Sequence, residues 1–82
     1  MKKSERICLN WLQSHYQLNP DEIRFYHKGT PDFITPAGRF EAKTLYTNTI
    51  VFRKSQLLQL ISGDFVVAVD PDHVDPVAII PF

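Results

Sequence analysis

A length of 82 residues bounds the chain to one domain with a single small core, so a partner subunit is expected to help bury its apolar surface. With 44% hydrophobic and 22% charged residues the composition excludes a disordered chain, and no apolar run nears the roughly 20 residues that span a bilayer. Net charge is zero, yet all nine Lys and Arg fall in residues 1–63, while residues 64–82 carry Asp64, Asp70, Asp72 and Asp75 and no Lys or Arg, so a basic face can coexist with an acidic end.

The basic start Met1-Lys2-Lys3 is followed by a segment broken by Glu5, Arg6, Asn10, Gln13 and Ser14, so no export is expected and the protein is read as cytoplasmic. Ser4 is placed to cap a first helix, with Glu5 near its positive end and apolar side chains at Ile7, Cys8, Trp11, Leu12 and Tyr16. Glu5 precedes Cys8 by three residues and Leu12 by seven, which aims its carboxylate along the edge of that apolar face. Cys8, the single cysteine, excludes an internal disulfide and reads as a core residue. Asn19-Pro20-Asp21 is expected to end the helix.

Ile23 to His27 alternates as a strand does, and Lys28-Gly29-Thr30-Pro31 reads as a loop. Asp32 to Thr35 is a short strand, Pro36-Ala37-Gly38 a hairpin turn with Gly38 at positive φ, and Arg39 to Thr44 the antiparallel return. After a polar loop over 45–49 and a brief extended piece over Ile50 to Phe52, a second helix is predicted over Lys54 to Ser62. Its apolar stripe is Leu57, Leu58, Leu60 and Ile61, and Gly63 is its C-terminal cap. Phe65 to Val69 reads as a strand covered on both faces. Asp70-Pro71-Asp72-His73 is a turn, and Val77 to Ile80, bracketed by Pro76 and Pro81, an edge strand.

Alternation on the strand Arg39 to Thr44 sends Phe40 and Ala42 one way and Glu41 and Lys43 the other. The hairpin brings Asp32 beside Glu41, and two carboxylates that close repel unless a cation lies between them. Hard oxygen donors of this kind suit Mg2+ or Mn2+. An ion held there polarises a phosphate and activates water, while Lys43 orients that water or neutralises charge on the phosphate. Those are the parts that phosphodiester hydrolysis requires.

The pair Pro31-Asp32 followed by Glu41-Ala42-Lys43 resembles the signature of the PD-(D/E)XK nuclease superfamily. Gly29-Thr30-Pro31-Asp32-Phe33-Ile34 resembles its virus-type replication-repair nuclease branch. Val51-Phe52-Arg53-Lys54-Ser55-Gln56 and the closing Ile79-Ile80-Pro81-Phe82 are similar to archaeal Holliday-junction resolvases. The resemblance implies an α/β fold with a restriction-endonuclease-like αβββαβ core and an added strand, a mixed central sheet flanked by two helices, in one nuclease domain over residues 1–82. It further implies a metal-dependent endodeoxyribonuclease that acts on DNA, branched DNA being the first substrate to try, as a homodimer. Asp32 and Glu41 match the metal-binding acids, the Ala42 carbonyl matches a third ligand, and Glu5 is the helix-1 acid that would complete the set. Lys43 matches the catalytic lysine and Gln56 a glutamine found beside the site. The chain departs from the resolvases in its neutral charge and its short loop before Pro31, which bears on the preference for branched DNA.

Bland readings stand beside these. Glu41 and Lys43 also fit an exposed ion pair, Glu5 a helix-terminus charge, and Gln56 a surface residue in a first helical turn. His15, His27 and His73 lack metal-ligand spacing. Lys28, Arg39, Arg53 and Lys54 are the candidate phosphate contacts, and Tyr26, Tyr46 and Phe52 either stack on unpaired bases or pack internally. The competing functions are a non-catalytic nucleic-acid-binding module of the same fold and a structural subunit whose acids serve only in surface pairing. The stretch Phe65 to Phe82 is the expected dimer interface.

Overall fold

The computed structural model describes residues 1–82 as two helices and a five-stranded mixed sheet. Helix α1 (Lys3–His15) is capped at Lys2, not Ser4, and the Glu5 carboxylate accepts the Lys2 backbone N–H at 2.7 Å. Satisfying an orphan donor in this way turns Glu5 inward and leaves it buried, and Ser4 lies buried in the first turn. The helix stops at His15, before Asn19-Pro20. Gln17 takes a left-handed φ of 54°, and the Leu18 N–H closes back on the Gln13 carbonyl at 3.2 Å. Asn19-Pro20 instead opens a 3₁₀ turn over Pro20–Glu22.

The strands are β1 (Arg24–Phe25), β2 (Phe33–Thr35), β3 (Gly38–Thr44), β4 (Phe65–Val69) and β5 (Ala78–Pro81), side by side in chain order. Only β3 and β4 pair in parallel; helix α2 (Lys54–Gln59) lies within the chain segment that joins them. Strand β1 is shorter than the alternation over Ile23 to His27 suggests, because the ladder closes with the Tyr26 N–H on the Asp32 carbonyl at 2.8 Å and a turn begins there, in which the Gly29 N–H donates to the Tyr26 carbonyl. Thr35 fixes the β2–β3 hairpin with its hydroxyl, which accepts the Ala37 N–H and donates to the Gly38 carbonyl.

One face of the sheet, with Phe33, Phe40, Ala42, Val67 and Val69, packs with Ile7, Cys8 and Leu12 of α1 into the core. The register Glu41↔Val66 and Lys43↔Ala68 puts these four residues on the opposite face, where Glu41, Val66 and Ala68 are also buried. Strand β5 is the edge, where the missing donor of Pro81 costs least.

Helix α2 differs from its expected span. Leu60 turns extended (ψ 141°), and Asp64 draws Ile61 into a tight turn, its carboxylate accepting the Ile61 N–H and its own N–H donating to the Ile61 carbonyl, each at 3.0 Å. This local alternative to helical bonding ends the helix after six residues, so Gly63, at φ 97°, belongs to that turn and caps nothing. Of the apolar stripe only Leu60 is buried; Leu57, Leu58 and Ile61 are 45%, 74% and 53% exposed. No helix is long and apolar enough to cross a membrane.

Candidate active site

Asp32 stands one residue before β2, where the antiparallel register Phe33↔Phe40 sets it opposite Glu41. The two acids are tied crosswise: the Asp32 N–H donates to Glu41 Oε1 at 3.0 Å, and the Ala42 N–H donates to Asp32 Oδ2 at 2.9 Å. Each carboxylate thereby holds the other's strand. Asp32 is 7% exposed and Glu41 2%. Burial pushes Asp32 up to about 6, opposed first by the Ala42 N–H, then raised by Glu5 and lowered by Lys43. Burial likewise pushes Glu41 up to about 7, reinforced by the charge of Asp32 and opposed by Lys43.

Lys43 Nζ lies 2.6 Å from Gln56 Oε1, 4.0 Å from Glu41 Oε2 and 5.0 Å from the centre of the Phe52 ring. Gln56 Oε1 also accepts the Arg53 N–H at 2.9 Å, so the opening of α2 is pinned to the lysine of β3. Burial lowers the Lys43 ammonium, Glu41 and Asp32 oppose that, and Lys2 and Arg53 add to it. The sequence expectation of an amine beside Glu41, with Gln56 close by, corresponds to these contacts.

Two adjoining cavities meet over this group. The inner one, of about 160 Å³, is lined by Glu5, Asp32, Glu41, Ala42, Lys43 and Tyr46, among others. The outer cleft, of about 580 Å³, carries four cations, Lys2, Lys28, Lys43 and Arg53, and one apolar residue among 13. Lys28 and Arg53 therefore fall where phosphate contacts were expected. Arg39 and Lys54 do not line either cavity. Arg39 is turned to Asp64, with Nε 3.0 Å from the carboxylate, which corrects its reading as a free phosphate contact.

Lys2 was not foreseen. As the cap residue three positions before Glu5 it must follow Glu5 to the site, a signal present in the helical spacing. His27 also lines the outer cleft, whereas His15 stacks on Trp11 and His73 pairs with Asp70.

No group of three His, Cys, Asp or Glu side chains is disposed to hold a metal ion, so Glu5 does not close a three-acid cluster with Asp32 and Glu41. The donor chemistry of the pair nevertheless fits a hard divalent cation. One oxygen of each acid is committed to a backbone N–H, the second oxygens are bonded to no backbone N–H, and burial makes both acids resist ionising. No protein-family model, curated protein or solved structure matches the chain.

Proposed function

We propose that the chain is a divalent-metal-dependent nuclease of the PD-(D/E)XK type, with a restriction-endonuclease-like fold, that hydrolyses DNA phosphodiester bonds. The observation that carries this reading is the crosswise tie of Asp32 and Glu41 with Lys43 beside them, lining an inner cavity that adjoins a cleft bearing Lys2, Lys28, Lys43 and Arg53. Asp32 and Glu41 would hold Mg2+ or Mn2+, with the Ala42 carbonyl as a further oxygen donor and Glu5 acting on the ion from the cavity wall. Such an ion, when bound, would supply Lewis acidity toward the phosphate and lower the pKa of a water so that hydroxide is available as nucleophile at neutral pH.

The chain's own residues do the rest. Lys2, Lys28 and Arg53 draw the nucleic-acid backbone into the cleft. Lys43, held by Gln56, sets a positive charge at a fixed point where negative charge grows on the phosphate during attack, an arrangement that needs little reorganisation in the step itself. Incubation with linear, single-stranded, flapped and four-way-junction DNA, with and without Mn2+, tests the proposal. Metal-dependent cutting of at least one substrate supports it, and intact DNA in every lane opposes it.

A second reading, a non-catalytic binding module, draws on the same backbone bonds, since Asp32 and Glu41 serve the hairpin without any ion. It requires that Mg2+ and Mn2+ leave the protein's melting temperature unchanged.

We also propose that the active species is a homodimer. Leu57 and Leu58 on α2 and Ile61 in the turn after it present apolar surface, and that turn joins the C-terminus, where the Phe82 N–H donates to the Asp64 carbonyl at 2.8 Å and Phe82 is 45% exposed. Of the interface expected over Phe65 to Phe82, Val66 to Val69 are buried within the chain, and this face adjoins the exposed Ile80 and Phe82.

A further inference from the structure

The aromatic side chains that the sequence left open between stacking and packing separate in the structure. Phe52 has the Lys43 amine over its ring. Tyr26 is 40% exposed but lines neither cavity at the acids. Tyr16 lies against Trp11 and Phe40. Tyr46 is different: it is 66% exposed, pairs with no other ring, and its hydroxyl makes no hydrogen bond, yet it lines the inner cavity with Asp32, Glu41 and Lys43.

The backbone holds the Cα that carries this ring. The Tyr46 N–H donates to the Thr49 carbonyl at 2.9 Å and the Thr49 N–H to the Tyr46 carbonyl at 3.0 Å, closing a two-residue turn. Thr47 and Asn48 both take left-handed angles, φ 48° and 66°, which this turn type demands and which a β-branched residue adopts only at a cost. The Leu45 N–H, bonded to the Val69 carbonyl at 2.8 Å, ties the base of the turn to β4. A large ring is thus left in water on a tip that the backbone makes rigid, although nothing in the fold needs its side chain.

We infer that Tyr46 is a base-stacking residue that selects substrates with an unpaired nucleobase beside the phosphate held at Asp32, Glu41 and Lys43. The inference rests on the proposed nuclease reading and adds its substrate class. Inside a continuous duplex both faces of every base are covered by neighbours, so a fixed aromatic gains nothing there. An unpaired base, in a single strand, a flap or an opened junction, offers a free π-face. The cations of the outer cleft carry the backbone, and Tyr46 then discriminates by base exposure, without reading sequence.

The test uses the intact chain with short oligonucleotides carrying 2-aminopurine, in EDTA and separately in Ca2+, so that binding is read apart from cutting. Wild-type protein is expected to bind single-stranded and flapped DNA more tightly than duplex and to quench the probe. Tyr46→Leu is expected to bind the unpaired substrates about 5- to 150-fold more weakly, to lose the quenching, and to keep duplex affinity and salt dependence. Tyr46→Trp is expected to retain binding and quenching, which guards against a folding defect in the leucine variant. A parallel RNA series reports whether the same base face is used on either backbone. Unchanged affinity and quenching in Tyr46→Leu, or an equal loss on duplex and unpaired substrates, would overturn the role of Tyr46 and leave the nuclease reading standing if DNA is still cut. Failure of the wild type to bind any oligonucleotide would overturn both.

Discussion

Asp32 and Glu41 hold each other across the β2–β3 hairpin, the backbone N–H of Asp32 on Glu41 Oε1 and the carboxylate of Asp32 on the N–H next to Glu41. The same contacts that order the hairpin keep two acids buried side by side, at a cost in stability that a cation between them would offset.

That cost has a sign. Both carboxyls are raised in the folded state, Asp32 from 3.8 to about 6 and Glu41 from 4.5 to about 7, so between these values the folded chain binds more protons than the unfolded one. Stability without metal is therefore expected to be greatest at acid pH on this account, to fall as pH rises from about 4 to about 7, and to level off above. Asp32→Asn or Glu41→Gln should raise the metal-free melting temperature at pH 8, by on the order of 4–8 °C for each kcal/mol relieved. Mg2+ should raise it in the wild type and in neither variant. Thermal melts across pH, with and without Mg2+, check this; a metal-free wild type that gains stability from pH 4 to pH 8 opposes it.

Lys43 and Gln56 are expected to differ in kind. Lys43→Ala should lower the cleavage rate by about 10²–10³-fold with little change in DNA affinity, because its charge acts where charge develops. Gln56→Ala should cause a smaller loss, since the amine remains without its 2.6 Å partner. With the Lys43 ammonium lowered, the alkaline fall of the wild-type rate should lie below the usual lysine range. Single-turnover rates over pH measure all three.

The cleft cations and Arg39 should separate by assay. Ala at Lys2, Lys28 or Arg53 is expected to flatten the salt dependence of DNA binding by about one charge each, with stability held. Arg39→Ala should leave that slope alone and cost about 1–3 kcal/mol of stability, because it strips the cation from the buried Asp64 carboxylate and leaves it only the Ile61 N–H. Salt titrations and denaturant melts on the four variants tell these apart.

Leu58→Asp with Ile61→Asp is expected to turn a dimer into a monomer without unfolding it, since both side chains are exposed within one chain. Sedimentation at micromolar concentration decides it; a wild-type monomer that still cuts DNA rules the dimer out.

The order of helices and strands was legible because alternation and turn chemistry agree along 23–44 and 65–80. The pairing of Asp32 with Glu41 followed from the hairpin at Pro36-Ala37-Gly38. What escaped the sequence were competitions between local partners. Glu5 took the Lys2 N–H and moved the helix start ahead of Ser4, Gln17 ended α1 ahead of Asn19-Pro20, and Asp64 pulled Ile61 out of α2. Arg39 has the same alternation as Glu41 and Lys43, but only the placement of Asp64 at the start of β4 reveals that its charge is already paired.

The central claim is that one site cuts phosphodiester bonds through Asp32, Glu41 and Lys43. The most direct test is the Mn2+-dependent cleavage rate of a flapped DNA by wild type, Asp32→Asn, Glu41→Gln and Lys43→Ala, each verified as folded by its melting curve. Metal-dependent cutting by the wild type and a loss of about 100-fold or more in every variant is the expected result. Wild-type rates in any folded variant, or a wild type that leaves the DNA intact with Mn2+ present, would contradict it.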